Sequence, residues 1–382
     1  MTALAHAPVM PSRPDEGVVL VHDYLLVMRG AERTFETIAA CYPKATIATL
    51  LYDPVGTAGR FRHRRVRTSF LQPIAASQRH FRRALPFMPL AAERLPLDGA
   101  RLVISSSSAF AQGVRPAREA VHISYCHSPF RYVWHERRRT AERVPAPARP
   151  LVKPALDALR RWDLEASRRV TAYIANSQLT RRRIGEFYGR DATVVHPPVE
   201  VERFVGRPDP QDYFLVVGEV TGHKNVEVAL AAAERADVKT KVVGDGPARA
   251  RLRRRFKKAT FLGRVPDRRL IELYAGCRAL LVPAVEEFGI TMVEAHAAGR
   301  PVAAAARGGA LEIVDDGRTG ILFPPGDVES LAEALRETDW EGFDVDRLRA
   351  SAQRFSADQF RRRFRSEVAR ILDDELATTL MP

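Results

Sequence analysis

Cysteine is scarce in this chain of 382 residues: Cys41, Cys126 and Cys277 stand far apart, and no C-x-x-C occurs. An odd, sparse set excludes a disulfide framework and a cysteine-built zinc site, and it fits a reducing compartment. No basic segment followed by an apolar run opens the sequence, so no secretory leader is expected. Residues 1–15 carry Pro8, Pro11 and Pro14 and read as a loose tail. No apolar run approaches the ~18 residues that a membrane-spanning helix needs. No G-x-G-x-x-G follows the first apolar run, Val18–Val21, which argues against a nicotinamide-dependent oxidoreductase. Neither a recognition helix nor an aromatic–basic module is visible, so a nucleic-acid partner is not expected despite the basic composition. The expected location is the cytoplasm.

What is present is ordinary soluble composition, 46% hydrophobic and 28% charged, in a chain too long for one core. Two domains are therefore expected. The formal charge is +14, and it is unevenly placed. Residues 1–200 hold 31 Lys/Arg against 17 Asp/Glu, whereas residues 201–382 hold 29 against 29. Two readings fit this excess. Either the first half meets an anionic partner, such as the inner face of a membrane to which the protein attaches peripherally, or it reflects an arginine-rich coding bias. The stretches Arg60–Arg67, Arg79–Arg83 and Arg137–Arg139, near Phe61, Phe70, Phe81 and Phe87, suit the first reading, and exposed helix faces suit the second.

Apolar β-branched runs recur, each ending in a polar loop and followed by helical spacing. Val18–Val21 leads into His22–Asp23, and Leu102–Ile104 into Ser105–Ser108. Val121–Tyr125 leads into Cys126–His127–Ser128–Pro129, Ala172–Ala175 into Asn176–Ser177, and Thr193–Val195 into His196–Pro197–Pro198. Strands buried on both faces read this way in parallel sheets, so an α/β half is expected over 16–200. Ser177 is placed to cap the following helix. Periodicity is lost over 201–212, read as a linker. The pattern restarts at Tyr213–Val217, Lys241–Val243, Thr260–Leu262, Ala279–Val282 and Pro301–Ala303, giving a second α/β domain over 213–355. The acidic stretch 327–346 reads as solvated helix and connection. Over 356–372, Phe360, Phe364, Val368 and Leu372 fall four apart and predict an amphipathic helix.

The most informative segment is E-E-F-G-I-T-M-V-E at 286–294, a loop between a buried strand and a helix. Such junctions at the carboxyl edge of a parallel sheet bind ligands, and the free N–H groups of the helix start suit a diphosphate. Glu286 before the helix and Glu294 one turn inside it can hold separate hydroxyl-bearing parts of one ligand. Two such glutamates also occur by chance as solvated acids. Their setting decides between the readings. Gly218 and Lys224, Val242–Pro247 and Phe261–Val265 come before the segment. Gly308–Gly309 with Glu312, then Asp316–Gly320, come after it. In this order the set resembles the donor domain of glycosyltransferase family 4 (group 1), densely over 213–325. In the first half His22–Asp23–Tyr24, Arg29–Glu32, Ser124–Tyr132, Ala175–Ser177 and His196–Val199 match more thinly, and the last two resemble bacterial members that build surface polysaccharides, often mannosyltransferases using GDP-mannose.

This resemblance implies the GT-B architecture, two Rossmann-like domains facing each other across a cleft. Residues 16–200 would bind the acceptor, 213–355 the nucleotide sugar, and 356–382 would cross back to the first domain. It implies a retaining hexosyltransferase using a nucleotide sugar, GDP-mannose the best guess, on a glycan or lipid-linked acceptor. Glu294 would bind the ribose, Glu286 the donor hexose, and Lys224 the diphosphate beside Gly218. Backbone N–H groups of Phe288, Gly289 and Ile290 would contact sugar and phosphate, and Arg264 and Val265 would frame the base. Gly30 would approach the phosphates and His127 the donor sugar; a plain strand-end histidine is the other reading of His127. Two departures stand out. Glu219 occupies the place where relatives carry Arg, so Lys224 acts alone or Arg307 substitutes; and the first loop has one glycine where two are common. No metal or other cofactor is expected, since the one D-x-D, Asp344–Val345–Asp346, lies in the acidic run. Among enzymes the remaining alternative is a GT-B sugar-nucleotide epimerase.

Overall fold

The computed structural model describes residues 17–75, 81–142, 149–204 and 210–380. The tail 1–15, part of the expected linker and part of the Arg79–Arg83 cluster lie outside them. The chain forms two compact units, 1–195 with 361–382, and 196–360.

Within the described residues the first unit holds a parallel sheet: β1 (Val18–His22), β2 (Thr46–Thr49), β3 (Val66–Thr68), β4 (Leu102–Ser107), β5 (Val121–Cys126), β6 (Ala172–Ala175) and β7 (Ala192–Val194), in the order β3-β2-β1-β4-β5-β6-β7. The second unit holds β8 (Phe214–Val217), β9 (Thr240–Val243), β10 (Ala259–Gly263), β11 (Leu280–Val282), β12 (Val302–Ala305) and β13 (Gly320–Phe323), in the order β10-β9-β8-β11-β12-β13, again parallel. Each sheet reverses its strand order once, between β1 and β4 and between β8 and β11. Two loops diverge at that switch point and leave a crevice at the carboxyl edge, the place where doubly wound sheets bind ligands. Both units are therefore α/β and Rossmann-like.

Strands and helices form where the apolar spacing puts them. β1 is buried throughout, and the helix Gly30–Cys41 buries Phe35, Ile38 and Ala39. Ser177 caps the helix Gln178–Tyr188 by accepting from the Thr180 N–H. Three expectations are changed. First, the second unit starts at His196, ahead of 201–212, because Val199, Val201 and Phe204 are buried in its core. Second, the acidic stretch 327–346 is not merely solvated. Asp327 and Asp344 are helix N-caps, and Leu331, Leu335 and Trp340 are buried. Third, the stripe of the helix Ala357–Leu380 is Phe360, Phe364, Val368 and Ile371, with Leu372 only half-buried. The 3.6-residue period makes the last step three residues rather than four. In the first unit Phe364 packs on Tyr125 at 6.0 Å, and Arg365 donates to the Cys41 carbonyl.

Candidate functional site

The second unit's switch point is framed by loops that touch through their backbones. At the end of β9 a Cβ on Gly244 would stand 1.9 Å from the Gly218 carbonyl oxygen, so only glycine lets the loops after β8 and β9 meet. Gly309, after β12, is as tight: a Cβ there would lie 1.8 Å from the Phe288 carbonyl oxygen. Its N–H donates to the Glu286 carbonyl at 3.0 Å, and Glu286 bridges Gly308. The Gly308–Gly309 pair is thus the seat of the segment 286–289. Below it the Phe288 ring is buried between His196 and Phe355, at 5.5 and 5.2 Å, so only its backbone is available to a ligand. His196 is held by Glu312 at 2.8 Å.

Across this crevice Lys224, from the loop after β8, places Nζ 2.7 Å from both carboxylate oxygens of Glu286, from the loop after β11. The pair is partly buried, its side chains 29% and 20% exposed. Beside it the helix Ile290–Ala297 starts after Gly289, at φ +105°, with no side chain capping it; the Met292 N–H bonds the Gly289 carbonyl, and those of Ile290 and Thr291 have no partner among the described residues. One turn along, Glu294 accepts a 2.8 Å bond from the Tyr274 hydroxyl. Tyr274 is buried, and its own burial, joined by the Glu294 charge, pushes its pKa far up, so the hydroxyl remains a donor. Val265 packs half-buried against the core, whereas Arg264 and Arg307 are exposed. The structure thus gathers Gly218, Lys224, Glu286, Phe288, Gly289, Ile290 and Glu294 at one edge of one sheet. The last motif, Asp316–Gly320, is a tight turn starting β13, with the Thr319 carbonyl accepting from buried His296.

The first unit's switch point carries a polar network. Asp23, after β1, accepts backbone N–H bonds from Ser108 (2.7 Å), Phe110 (2.8 Å) and Ala111 (2.6 Å), tying the loops of β1 and β4 together. Burial pushes its carboxyl pKa up, and those three donors pull it back. Gly30 opens the helix that follows the loop after β1, and Glu32 in its first turn accepts from the Arg29 N–H. Burial raises Glu32 to about 7. His127 Nε2 lies 2.8 Å from Ser106 Oγ, which lies 3.1 Å from His22 Nδ1, a chain across β5, β4 and β1. His127 Nδ1 makes no hydrogen bond among the described residues, so it is the nitrogen open to a ligand.

Burial lowers His127 to about 4; burial, then the neighbouring His127 charge, lowers His22 to about 3. Below the ordinary value of 6.5 the unfolded chain takes up protons that these folded rings refuse. The stability each contributes is therefore complete above pH 6.5 and is lost as the pH falls toward about 4 for His127 and about 3 for His22. A histidine NMR titration is expected to find the His127 ring neutral throughout about pH 5.5–8. A midpoint near the ordinary value would contradict this buried anchoring. The sequence alone does not mark Ser106, His22 or Tyr274 as site residues; the serine run closing a buried strand and the His–Asp pair closing β1 are the signals it offers.

Residues 28–203 match the family described as Glycosyltransferase Family 4, and residues 200–338 the family described as Glycosyl transferases group 1. O-antigen chain mannosyltransferase C of Escherichia coli is 30% identical over 185 residues, 43% of this chain and 48% of that one. A GDP-mannose-dependent alpha-mannosyltransferase of Mycobacterium tuberculosis is 34% identical over 131 residues, 34% of this chain and 35% of the other. These matches span less than half the length of either relative. HepE of Anabaena, solved with UDP and glucose, has a TM-score of 0.68 over 93% of this chain and 99% of that chain, at 19% identity, a likeness of fold alone.

Proposed function

This chain is a member of glycosyltransferase family 4 (group 1), built in the GT-B fold, and from that premise we propose that it is a retaining, metal-independent hexosyltransferase. Its donor is a nucleotide diphosphate sugar, GDP-mannose by the likeness to the two mannosyltransferases. Its acceptor is a glycan or lipid-linked carrier in cell-surface polysaccharide synthesis, reached from the inner face of the membrane.

The observation that carries this reading is the Lys224–Glu286 pair spanning the switch point, next to an uncapped helix start. An ammonium and a positive helix end on one side suit a diphosphate, and a carboxylate beside them suits sugar hydroxyls. On donor binding Lys224 turns from Glu286 to the phosphates, and Glu286 is released to the hexose. Glu294, oriented by Tyr274, takes the ribose. Backbone groups at Phe288, Gly289 and Ile290 contact sugar and phosphate, those near Arg264 and Val265 frame the base, and Gly218 leaves room for the phosphates. With Glu219 where a second cation is customary, Arg307 supplies that charge. It is exposed, makes no ion pair among the described residues, and precedes the glycines on which Glu286 rests. In the first unit, taken by itself, the candidate residues are Gly30 and His127, His127 through Nδ1.

In the reaction the bond from the anomeric carbon to the leaving phosphate oxygen breaks, and one to the acceptor oxygen forms on the same face. The acceptor proton passes to the departing phosphate. Charge developing on that phosphate is met by Lys224, the helix dipole and backbone donors. Among the described residues no cluster of three or more His, Cys, Asp or Glu is placed to hold a metal, and the carboxylate of Asp344 is engaged in capping a helix.

A thermal-shift panel of nucleotide sugars tests the reading. GDP-mannose, or another nucleotide sugar, is expected to raise Tm by several degrees at about 100 Kd, a linkage of about 2.7 kcal/mol. Glu294→Ala should weaken that stabilisation by at least about tenfold in ligand concentration, the loss of charge-assisted bonds to the ribose. If no nucleotide sugar stabilises the protein and Glu294→Ala changes nothing, the proposal fails.

A further inference from the structure

Between Asp53 and Glu93 the sequence has eight arginines and neither Asp nor Glu. The described part of this stretch includes the short helices Gln72–Ala75, Phe81–Ala84 and Met88–Glu93, with a single turn at Leu85–Phe87, each packed on the next. Their inner side is ordinary: Leu71, Ala75, Ala84, Met88, Ala91 and Ala92 are buried in the first unit's core. Their outer side is not. Phe70, Ile74, Leu85, Phe87 and Leu90 face solvent there, Ile74 at 75% and Phe87 at 56% exposure. They are five of the eight large apolar side chains exposed among the described residues. Single exposed apolar residues are normal on any protein, but most of them gathered within one short stretch mark a surface that meets something.

The surrounding charge says what. Some arginines of this stretch are spent within the unit. Arg64 donates to the carbonyls of Ala39, Tyr42 and Ala45, Arg60 pairs with Glu36, and Arg67 with Asp98. Arg65 and Arg83 are exposed and form no ion pair among the described residues. Aliphatic and aromatic side chains standing out of short helices, with unpaired Arg83 among them, Arg65 just ahead of β3, and the one carboxylate, Glu93, already paired with Arg115 and Arg169, have the composition of a segment that lies in a bilayer interface. A nucleic-acid surface would use its aromatic rings for stacking and has no use for exposed Ile74, Leu85 and Leu90. A protein interface would deplete charge toward its apolar centre but would not require every charge to be of one sign.

We propose that the outer face of residues 70–75 and 83–90 docks the protein on an anionic phospholipid leaflet, with Phe70, Ile74 and Phe87 entering the headgroup boundary and Arg65 and Arg83 meeting lipid phosphates. The face is joined to the first unit's polar site. Phe81, inside the same run of helices, packs at 5.4 Å on Tyr24, which directly follows Asp23 at the carboxyl end of β1. Docking would present a leaflet-borne acceptor to that edge of the sheet. This last consequence rests on the transferase reading, whereas the docking itself does not.

The test is co-sedimentation of the full chain with phosphatidylcholine vesicles, with and without about 30% phosphatidylglycerol. Binding at low salt is expected to be at least about tenfold tighter to the anionic vesicles and to weaken steeply as salt rises. The double variant Ile74→Ser/Phe87→Ser and the double variant Arg65→Gln/Arg83→Gln should each lose about tenfold or more in affinity. These side chains are exposed, and an unchanged Tm would show that the fold persists. Equal binding to both vesicle types would overturn the proposal, as would anionic-vesicle binding insensitive to Ile74→Ser/Phe87→Ser. Binding to heparin or duplex DNA that matches vesicle binding and ignores the apolar substitutions would make the face a polyanion site instead, also overturning it. Nucleotide-sugar thermal shifts on the same variants separate the two readings. Vesicle binding without any donor response sinks the transferase and leaves the docking face, and the reverse result does the opposite.

Discussion

Lys224→Met is expected to lower kcat/KM for the nucleotide-sugar donor by roughly two to three orders of magnitude, about 3–4 kcal/mol of transition-state stabilisation. Two effects combine. In the free protein Lys224 is the cation on Glu286, bonded at 2.7 Å to both of its oxygens in a partly buried setting. Removing it leaves a carboxylate beside the proposed diphosphate site, so on that proposal the donor meets repulsion instead of attraction. In the transition state Lys224 is the charge assigned to the leaving phosphate, and with Glu219 in the neighbouring position the loss is not backed up from that residue. Glu286→Gln separates the two effects. It removes the repulsion and keeps a group that can bond sugar hydroxyls, so the double variant Lys224→Met/Glu286→Gln should bind GDP or UDP better than Lys224→Met alone, while kcat stays low. Steady-state kinetics with isothermal titration of the nucleotide diphosphate reads both quantities. A Lys224→Met enzyme with kcat/KM within about threefold of the parent would remove Lys224 from the donor site.

This pairing marks where the sequence was readable and where it was not. The strands were readable because a parallel sheet buries both faces of each strand, so Val18–Val21 or Ala279–Val282 appears as a plain apolar run. The exceptions follow from the same physics. β3 is three residues at a sheet edge, with Val66, Arg67 and Thr68 all only half-buried, so no apolar run announces it. β2 is four residues reading T-I-A-T, and β13 begins on the glycine of what reads as a loop motif. The candidate donor residues were readable from their order, since loops after successive strands return to one edge of the sheet. Their partners were not. Lys224 lies 62 positions from Glu286, and His22 lies 84 from Ser106. Only the crossover between switch-point strands brings such residues together, and side-chain periodicity carries no trace of it. Tyr274 is a similar case. On a helix it reads as one more buried aromatic, and only its hydroxyl's aim at Glu294 gives it a role.

The second large effect should come from a residue with no side chain. Gly309→Ala is expected to cost at least about a hundredfold in kcat/KM, the scale for displacing a reacting group by about 1 Å. Gly309 has φ −63°, a conformation that alanine adopts freely, so backbone strain plays no part. What forbids the methyl group is space: its carbon would fall 1.8 Å from the Phe288 carbonyl oxygen, and that oxygen belongs to backbone that cannot swing aside as a side chain could. To reach a tolerable 3.0 Å the segment 286–289 must move off its seat, breaking the bond from the Gly309 N–H to the Glu286 carbonyl. Glu286, Gly289 and the start of the helix Ile290–Ala297 would move with it. The control is Gly317→Ala. Gly317 has φ +72° but open space around the missing Cβ, so that change should cost only about 1 kcal/mol of conformational strain and leave kcat/KM within about threefold. Hydrogen exchange in the Gly309→Ala protein should quicken over 286–294 while β1, β4 and β5 keep their protection. Full activity in Gly309→Ala would mean that the contact between these two loops does not set the position of Glu286, and the donor site as assembled here would be wrong.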